Sequence, residues 1–288
     1  MKIGFDATSL CRRITGIESY TLSLIQNLIR LDNENEYVIF FRKEIHPELL
    51  QFRTRAKFII CYINNQIFCE QIWLPYIAYR EKVDIIHFPA FPPGLLTLRT
   101  FVFTIHDTVI WKYPETLSWK GKLYFRPLTI LGAKRAQKII TVSDSSKKDI
   151  AKYIPRKYDK IVNAQESISY VFEKKGEENV LQEIRNKYNL PEKFILSVNS
   201  VEPRKNICVL LEAYKIFKEK NKDLTHKLVL VGRQAWGKDK VLRKIQMLNL
   251  TKDVILTGYL PIGDLPSVYK LADIFVYPSL YEGFGLPP

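Results

Sequence analysis

Ser279-Leu280-Tyr281-Glu282-Gly283-Phe284-Gly285-Leu286-Pro287-Pro288 is the stretch whose reading decides the fold. It follows an apolar run at 274–277, so an acidic side chain and two glycines arrive where a strand ends. In an open α/β sheet, the crevice at the carboxyl ends of the strands is where nucleotides bind. Gly283 and Gly285 lack the Cβ atoms that would hold a ligand away from the backbone. A helix starting near Pro287 would turn its free N–H groups toward an anion, and Glu282 could accept hydrogen bonds from sugar hydroxyls. The plainer alternative, a glycine turn with a solvent-facing Glu, fits less well with the apolar flank of Phe284 and Leu286.

Upstream, short β-branched runs alternate with longer helical patterns. The strand candidates are 3–6, 37–41, 57–60, 84–88, 101–106, 138–142 and 160–162, then 194–198, 228–231, 254–256 and 274–277. Ile17, Tyr20, Leu24, Leu28 and Leu31 recur at spacings of three and four and define one face of a helix. Ser143 or Asp144 caps another, which runs through Ile150 and stops before Pro155. A helix at 209–217 turns Leu210, Ala213, Tyr214 and Phe217 inward. This alternation predicts mostly parallel sheets covered by helices. A charged stretch at 173–192 separates a first domain, 1–172, from a second at 193–288.

The 288 residues suffice for two cores, and 47% hydrophobic with 26% charged residues reads as a globular, not a disordered, chain. No apolar run approaches the roughly 18 to 20 residues that span a bilayer, and the N-terminus enters a strand directly, without a signal-peptide pattern. Cys11, Cys61, Cys69 and Cys208 form no Cys-x-x-Cys pair and read as reduced thiols of a cytoplasmic protein. The net charge of +14 calls for a partner or a surface. Residues 101–160 carry thirteen Lys or Arg against five acids, interleaved with Trp111, Tyr113, Trp119, Tyr124 and Phe125. That mixture suits an anionic membrane, a phosphate-bearing acceptor or nucleic acid, or is a solvated basic face. No nucleic-acid motif accompanies it, so nucleic acid is set aside.

No Gly-x-Gly-x-x-Gly and no Walker-type Gly-Lys-Ser/Thr occurs, which removes support for dinucleotide oxidoreductases and P-loop enzymes. No Asp-x-Asp pair offers the carboxylates that would hold a sugar diphosphate through a divalent metal, so the chain's own cations are expected in the metal's place, with no metal and no other cofactor. Glu202-Pro203-Arg204-Lys205-Asn206 lies between the first strand and first helix of the second domain. Arg204 can fork two hydrogen bonds onto phosphate and Lys205 adds a compact charge; the alternative is a solvated turn that only caps a helix. His106, ending the strand at 101–106, either meets a sugar hydroxyl or is structural. His87 has a similar place and a weaker claim, and His46 and His226 read as surface residues.

Taken together these residues resemble family 4 of the glycosyltransferases. The motifs that carry the resemblance are Ile195-Leu196-Ser197-Val198 leading into Glu202-Pro203-Arg204-Lys205-Asn206, Gly258-Tyr259-Leu260, Ala272-Asp273 and 277–287, with His106-Asp107 and Ile140-Thr141-Val142-Ser143 in the first domain. The resemblance implies the GT-B fold: two Rossmann-like α/β domains facing a cleft, the second incomplete. It implies metal-independent, retaining transfer of a hexose from a nucleotide diphosphate sugar, GDP-mannose first, to a glycan or lipid-linked acceptor in surface polysaccharide synthesis, on the cytoplasmic side and in peripheral contact with an anionic membrane. Arg204 and Lys205 would stabilise the departing diphosphate, Glu282 would hold donor hydroxyls, the backbone of Phe284, Gly285 and Leu286 would meet the phosphates, and His106 would contact the sugar from the other domain. Gly16 matches the family's first glycine loop.

Four residues depart from the pattern. Glu18 and Ser19 stand where relatives often carry Gly and Arg, Asn199 where many have Gly, and Ser167 where Gly is usual. The family's second Glu, seven residues after Glu282, would fall beyond Pro288. The expectation is a chain truncated at its C-terminus that turns over poorly, or a non-catalytic transferase domain acting as a binding module.

Overall fold

The computed structural model describes residues 1–10, 16–116, 119–154, 158–168, 170–173, 177–233 and 238–288. Cys11 and Pro155 lie outside the described residues, as do part of the glycine loop at 16 and part of the charged stretch at 173–192. The chain divides into two compact units, Met1–Glu166 and Ser167–Pro288.

In the first unit the strands are β1 (Lys2–Asp6), β2 (Glu36–Arg42), β3 (Ala56–Cys61), β4 (Ile85–Phe88), β5 (Thr100–Thr104), β6 (Lys138–Thr141) and β7 (Ile161–Asn163). They form one sheet in the order β3-β2-β1-β4-β5-β6-β7, parallel throughout, with Gly4 opposite Val38 on one side and Ile86 on the other. Buried on both faces, such strands need continuous apolar runs rather than alternation. Tyr37, Val38, Ile39, Phe40 and Phe41 are one, and all five are buried. The helices are α1 (Gly16–Leu31), α2 (Gln66–Phe68), α3 (Leu74–Arg80) joined to α2 by a π turn at Cys69–Trp73, α4 (Val109–Lys112), α5 (Trp119–Arg135) and α6 (Asp144–Tyr153). Ser143 caps α6 by accepting from the Ser146 N–H at 3.0 Å.

The helix over α1 forms as its spacing predicts, but a different stripe turns inward. Leu22, Ile25 and Ile29 are buried, whereas Ile17 and Leu31 are exposed. α1 is apolar on more than one side, and the side with the Ile pair packs against Phe5, Ile39 and Phe41. Two histidines also need correcting. His46 is buried, and burial holds its pKa below the ordinary value. His226 is largely covered, with Nε2 3.6 Å from Asp273. Both sit where an element ends against a neighbour, which sequence polarity does not reveal.

The second unit has β8 (Phe194–Val198), β9 (Lys227–Val231), β10 (Val254–Gly258) and β11 (Ile274–Phe275), in the parallel order β10-β9-β8-β11. Its helices are α7 (Glu178–Lys187), α8 (Ile207–Lys220), α9 (Lys238–Met247) and α10 (Leu265–Leu271). α8 buries Ile207, Leu210, Leu211 and Tyr214; Ala213, expected inward, is exposed. Strand order reverses at β8. β9 and β10 build outward on one side, and β11 returns to the other, pairing Ile274 with Ile195. The loops after β8 and β11 therefore flank a topological switch point, where open α/β sheets bind ligands. Cys61 and Cys69 are buried free thiols and Cys208 is half-buried.

Candidate active site

The loops after β8 and β11 are stitched together by backbone. The Leu280 N–H donates to the Arg204 carbonyl at 2.9 Å, and Ser279 Oγ lies 3.4 Å from the same oxygen. Pro203 opens a short 3-10 turn, and Asn206 leaves it in the left-handed region at φ 58° to enter α8. This geometry points Arg204 and Lys205 at Glu282. Arg204 Nη1 lies 2.9 Å from Glu282 Oε2, and Lys205 Nζ lies 2.6 Å from Glu282 Oε1. Ser279 Oγ also donates to Oε1, Lys205 reaches the Tyr277 hydroxyl at 3.5 Å, and Arg204 Nε holds Glu202 at 3.2 Å.

Lys205 is buried. Burial and the adjacent Arg204 push its pKa down, and Glu282 restores part of the loss. Burial would raise the Glu282 carboxyl, but Arg204, Lys205 and Ser279 outweigh it and hold the group below the ordinary carboxylate range. Tyr277 is pushed up, first by burial and then by Glu282. The cluster therefore holds two cations against the carboxylates of Glu202 and Glu282. It is half-buried, so an approaching anion meets these charges in a medium less screening than water.

Sequence reading singled out Arg204, Lys205 and Glu282, and the structure brings all three together. Phe284, Gly285 and Leu286 continue the same loop. Gly285 has φ +97°, which an L side chain rarely adopts, and the Tyr269 hydroxyl donates to the Pro287 carbonyl at 2.9 Å. The Asn199 side chain folds back, donating from Nδ2 to Ser197 Oγ at 2.8 Å. A Cβ on Gly232 would lie 2.0 Å from the Asn199 carbonyl oxygen, so the β8 and β9 loops pack at glycine distance. Glu202, Tyr277 and Ser279 were missed as members of the cluster. Their signal was present, since each lies within five residues of a residue already singled out.

His106 belongs to the first unit, at the end of β5. Its Nε2 lies 2.8 Å from the Pro89 carbonyl, which can only accept, and its Nδ1 lies 3.2 Å from Glu166 Oε1. Tyr20 meets the ring edge-on at 4.7 Å and 89°. The Tyr20 hydroxyl is 3.4 Å from Thr104 Oγ1, which is 2.7 Å from His87 Nε2. Burial, helped by His106, lowers His87 to about 3, so His87 is a neutral member of the core. Both ring nitrogens of His106 thus have protein partners, and a sugar hydroxyl meets one only by displacing its partner. Gly16 is the first residue of α1, and a Cβ there would meet nothing within 4 Å. The Glu166 partnership gave no sequence signal beyond a lone acid after β7.

Residues 14–163, over half of the chain, match the family model described as Glycosyltransferase Family 4. The chain belongs to glycosyltransferase family 4. Residues 181–288 match a second model, Glycosyl transferases group 1. The O-antigen chain mannosyltransferase B of Escherichia coli is 30% identical over all of this chain and 78% of its own length. The UDP-Gal:alpha-D-GlcNAc-diphosphoundecaprenol alpha-1,3-galactosyltransferase of Escherichia coli is 26% identical over 99% of this chain and 76% of its own length. Among solved structures, Anabaena Alr3699/HepE in complex with UDP and glucose superimposes with a TM-score of 0.70 at 16% identity, covering 99% of this chain and 76% of that one. That likeness shows the fold, GT-B, and the two family models show a glycosyltransferase.

Proposed function

We propose that this family 4 chain transfers a hexose, mannose in the first instance, from a nucleotide diphosphate sugar to a glycan or lipid-linked acceptor, without a metal and with the anomeric configuration retained. The observation that carries the reading is Glu282 gripped by both Arg204 and Lys205 at the switch point beside β8. A departing nucleoside diphosphate gains negative charge as its bond to the sugar breaks. Fixed cations aimed at that charge stabilise the transition state without reorganising at the moment of reaction, and such electrostatics is commonly the largest catalytic contribution. Arg204 and Lys205 would supply this at the diphosphate. Glu282 would accept from donor hydroxyls, and the Phe284–Gly285–Leu286 backbone would approach the phosphates. His106 would serve the sugar from the first unit by exchanging one of its two partners.

A mannosyltransferase relative that spans the whole chain supports mannose as the sugar. The galactosyltransferase relative names a diphosphoundecaprenol acceptor, which supports a lipid-linked substrate and work at the cytoplasmic face of a membrane. Residues 1–172 would form the acceptor side and 193–288 the donor side, with 173–192 between them. The test is to offer radiolabelled GDP-mannose, UDP-glucose and UDP-N-acetylglucosamine with membrane lipid extract. Label moving from GDP-mannose into lipid is expected; label released or transferred from none of the three would overturn the reading.

A further inference from the structure

Both ring nitrogens of His106 face atoms that only accept hydrogen bonds. Nε2 lies 2.8 Å from the Pro89 carbonyl oxygen, and Nδ1 lies 3.2 Å from Glu166 Oε1. A carbonyl and a carboxylate have no hydrogen to give, so each bond forms only if the ring supplies one. A neutral imidazole carries a single N–H. Whichever nitrogen held it, the other would turn its lone pair toward an oxygen. Turning the ring over does not relieve this, because it sets C–H groups against both oxygens.

The His106 and Glu166 side chains are only 12% and 9% exposed. Water therefore does little to soften a mismatch there, and an unmade bond between buried polar groups is costly. The other polar neighbours have partners of their own. From α1, Tyr20 meets the ring edge-on, with its hydroxyl 3.4 Å from Thr104 Oγ1. From β4, His87 Nε2 lies 2.7 Å from the same Thr104 oxygen. Asp107, next along the chain, accepts from the Val109 N–H at 3.0 Å. Ser146 on α6 donates its hydroxyl hydrogen to the His106 carbonyl at 2.9 Å.

We infer that Glu166 is a positioning residue that keeps His106 protonated on both nitrogens, an imidazolium donating to the Glu166 carboxylate and to the Pro89 carbonyl. The hydrogen bond made by one ring nitrogen governs the state of the other, and here both bonds demand a hydrogen. A carboxylic acid donating to a neutral ring would hold the same number of protons, but imidazole is the stronger base of the two. The consequence for transfer rests on the proposed function: His106 meets the sugar as a donor of N–H to oxygen, and it takes no proton from an acceptor hydroxyl. Glu166 then acts on the reaction through His106 and touches neither substrate.

Long-range ¹H–¹⁵N correlation spectra at neutral pH read the protonation of each ring nitrogen. They need no donor or acceptor sugar, so the result is independent of whether the chain transfers a hexose. The chain has four histidines, and the His106 signals are those lost in His106→Gln. Wild type is expected to show both His106 nitrogens protonated. In Glu166→Gln the amide can turn to donate to Nδ1, so Nδ1 should lose its proton while Nε2 keeps its own. Gln165→Ala, an exposed neighbour in the same segment, should leave the wild-type pattern unchanged. Circular dichroism checks the fold of each variant, and the wild-type spectrum decides by itself if Glu166→Gln does not fold. An unprotonated nitrogen on His106 in wild type, or two protonated nitrogens in folded Glu166→Gln, would overturn the inference.

Discussion

Arg204 and Glu282, 78 residues apart in sequence, meet at 2.9 Å because β8 and β11 are parallel neighbours whose following loops open on the same side. The contact fixes the guanidinium between two carboxylates, Glu202 and Glu282. In the proposed function, a nucleotide diphosphate entering here would compete with Glu282 for the same cations. The competition defines what each residue does when removed.

On the proposed function, Arg204→Ala removes a forked donor to phosphate. A hydrogen bond to a charged group contributes about 1.5–3 kcal/mol, so GDP should bind roughly 10- to 100-fold more weakly. Arg204→Lys should recover only part of this, since an ammonium cannot form the paired geometry. Titration calorimetry with GDP reads both.

Glu282→Gln separates the diphosphate from the sugar. The substitution leaves Arg204 and Lys205 facing Glu202 alone, so GDP should bind as tightly as to wild type or more so. GDP-mannose should lose whatever advantage it has over GDP. The same variant carries a pH signature. The folded pKa of Glu282 lies below the unfolded value, so its stabilisation is present above about pH 4.5 and lost as pH falls through the folded value. Urea denaturation should show wild type more stable than Glu282→Gln at pH 7, with the gap closing at lower pH.

Glu70 provides a test of the first unit. It is buried, and burial, with Asp6 nearby, raises its carboxyl to about 7. Below about pH 4.5 both states hold the proton; as pH rises toward 7 only the unfolded chain releases it, so stability falls with pH across that window. Glu70→Gln keeps the acceptor for Gln66, bonded at 2.7 Å. It should therefore stabilise the protein at pH 8 by up to about 3 kcal/mol and make little difference near pH 4. Thermal melts at the two pH values check it.

Gly285→Ala puts a side chain on a backbone at φ +97°. The strain should cost about 1 kcal/mol or more, and it falls in the loop that carries Glu282. GDP-mannose binding should weaken several-fold while the melting curve of the first unit is unchanged.

Much of the fold was legible in the sequence because parallel strands announce themselves locally. The run at 37–41 needs no partner to be read as a buried strand, and β1 to β11 fall on the expected stretches. Arg204, Lys205 and Glu282 were legible for the same reason, as charged residues at strand ends next to helix or glycine signals. Pairings made across the fold were not. Nothing near Glu166 announces His106, 60 residues away, and nothing in a chain order tells that β11 returns to β8. The face of α1 was misread because both of its candidate stripes are apolar, and only the sheet decides which is covered.

The central claim, that two fixed side-chain cations hold the diphosphate where other transferases use a divalent metal, is tested most directly by GDP affinity in excess EDTA and in added Mn²⁺. The account predicts the same dissociation constant in both for wild type, and in both a loss of about 10- to 100-fold on Arg204→Ala or Lys205→Ala. GDP binding that disappears in EDTA and returns with Mn²⁺, or that survives both substitutions unchanged, would contradict it.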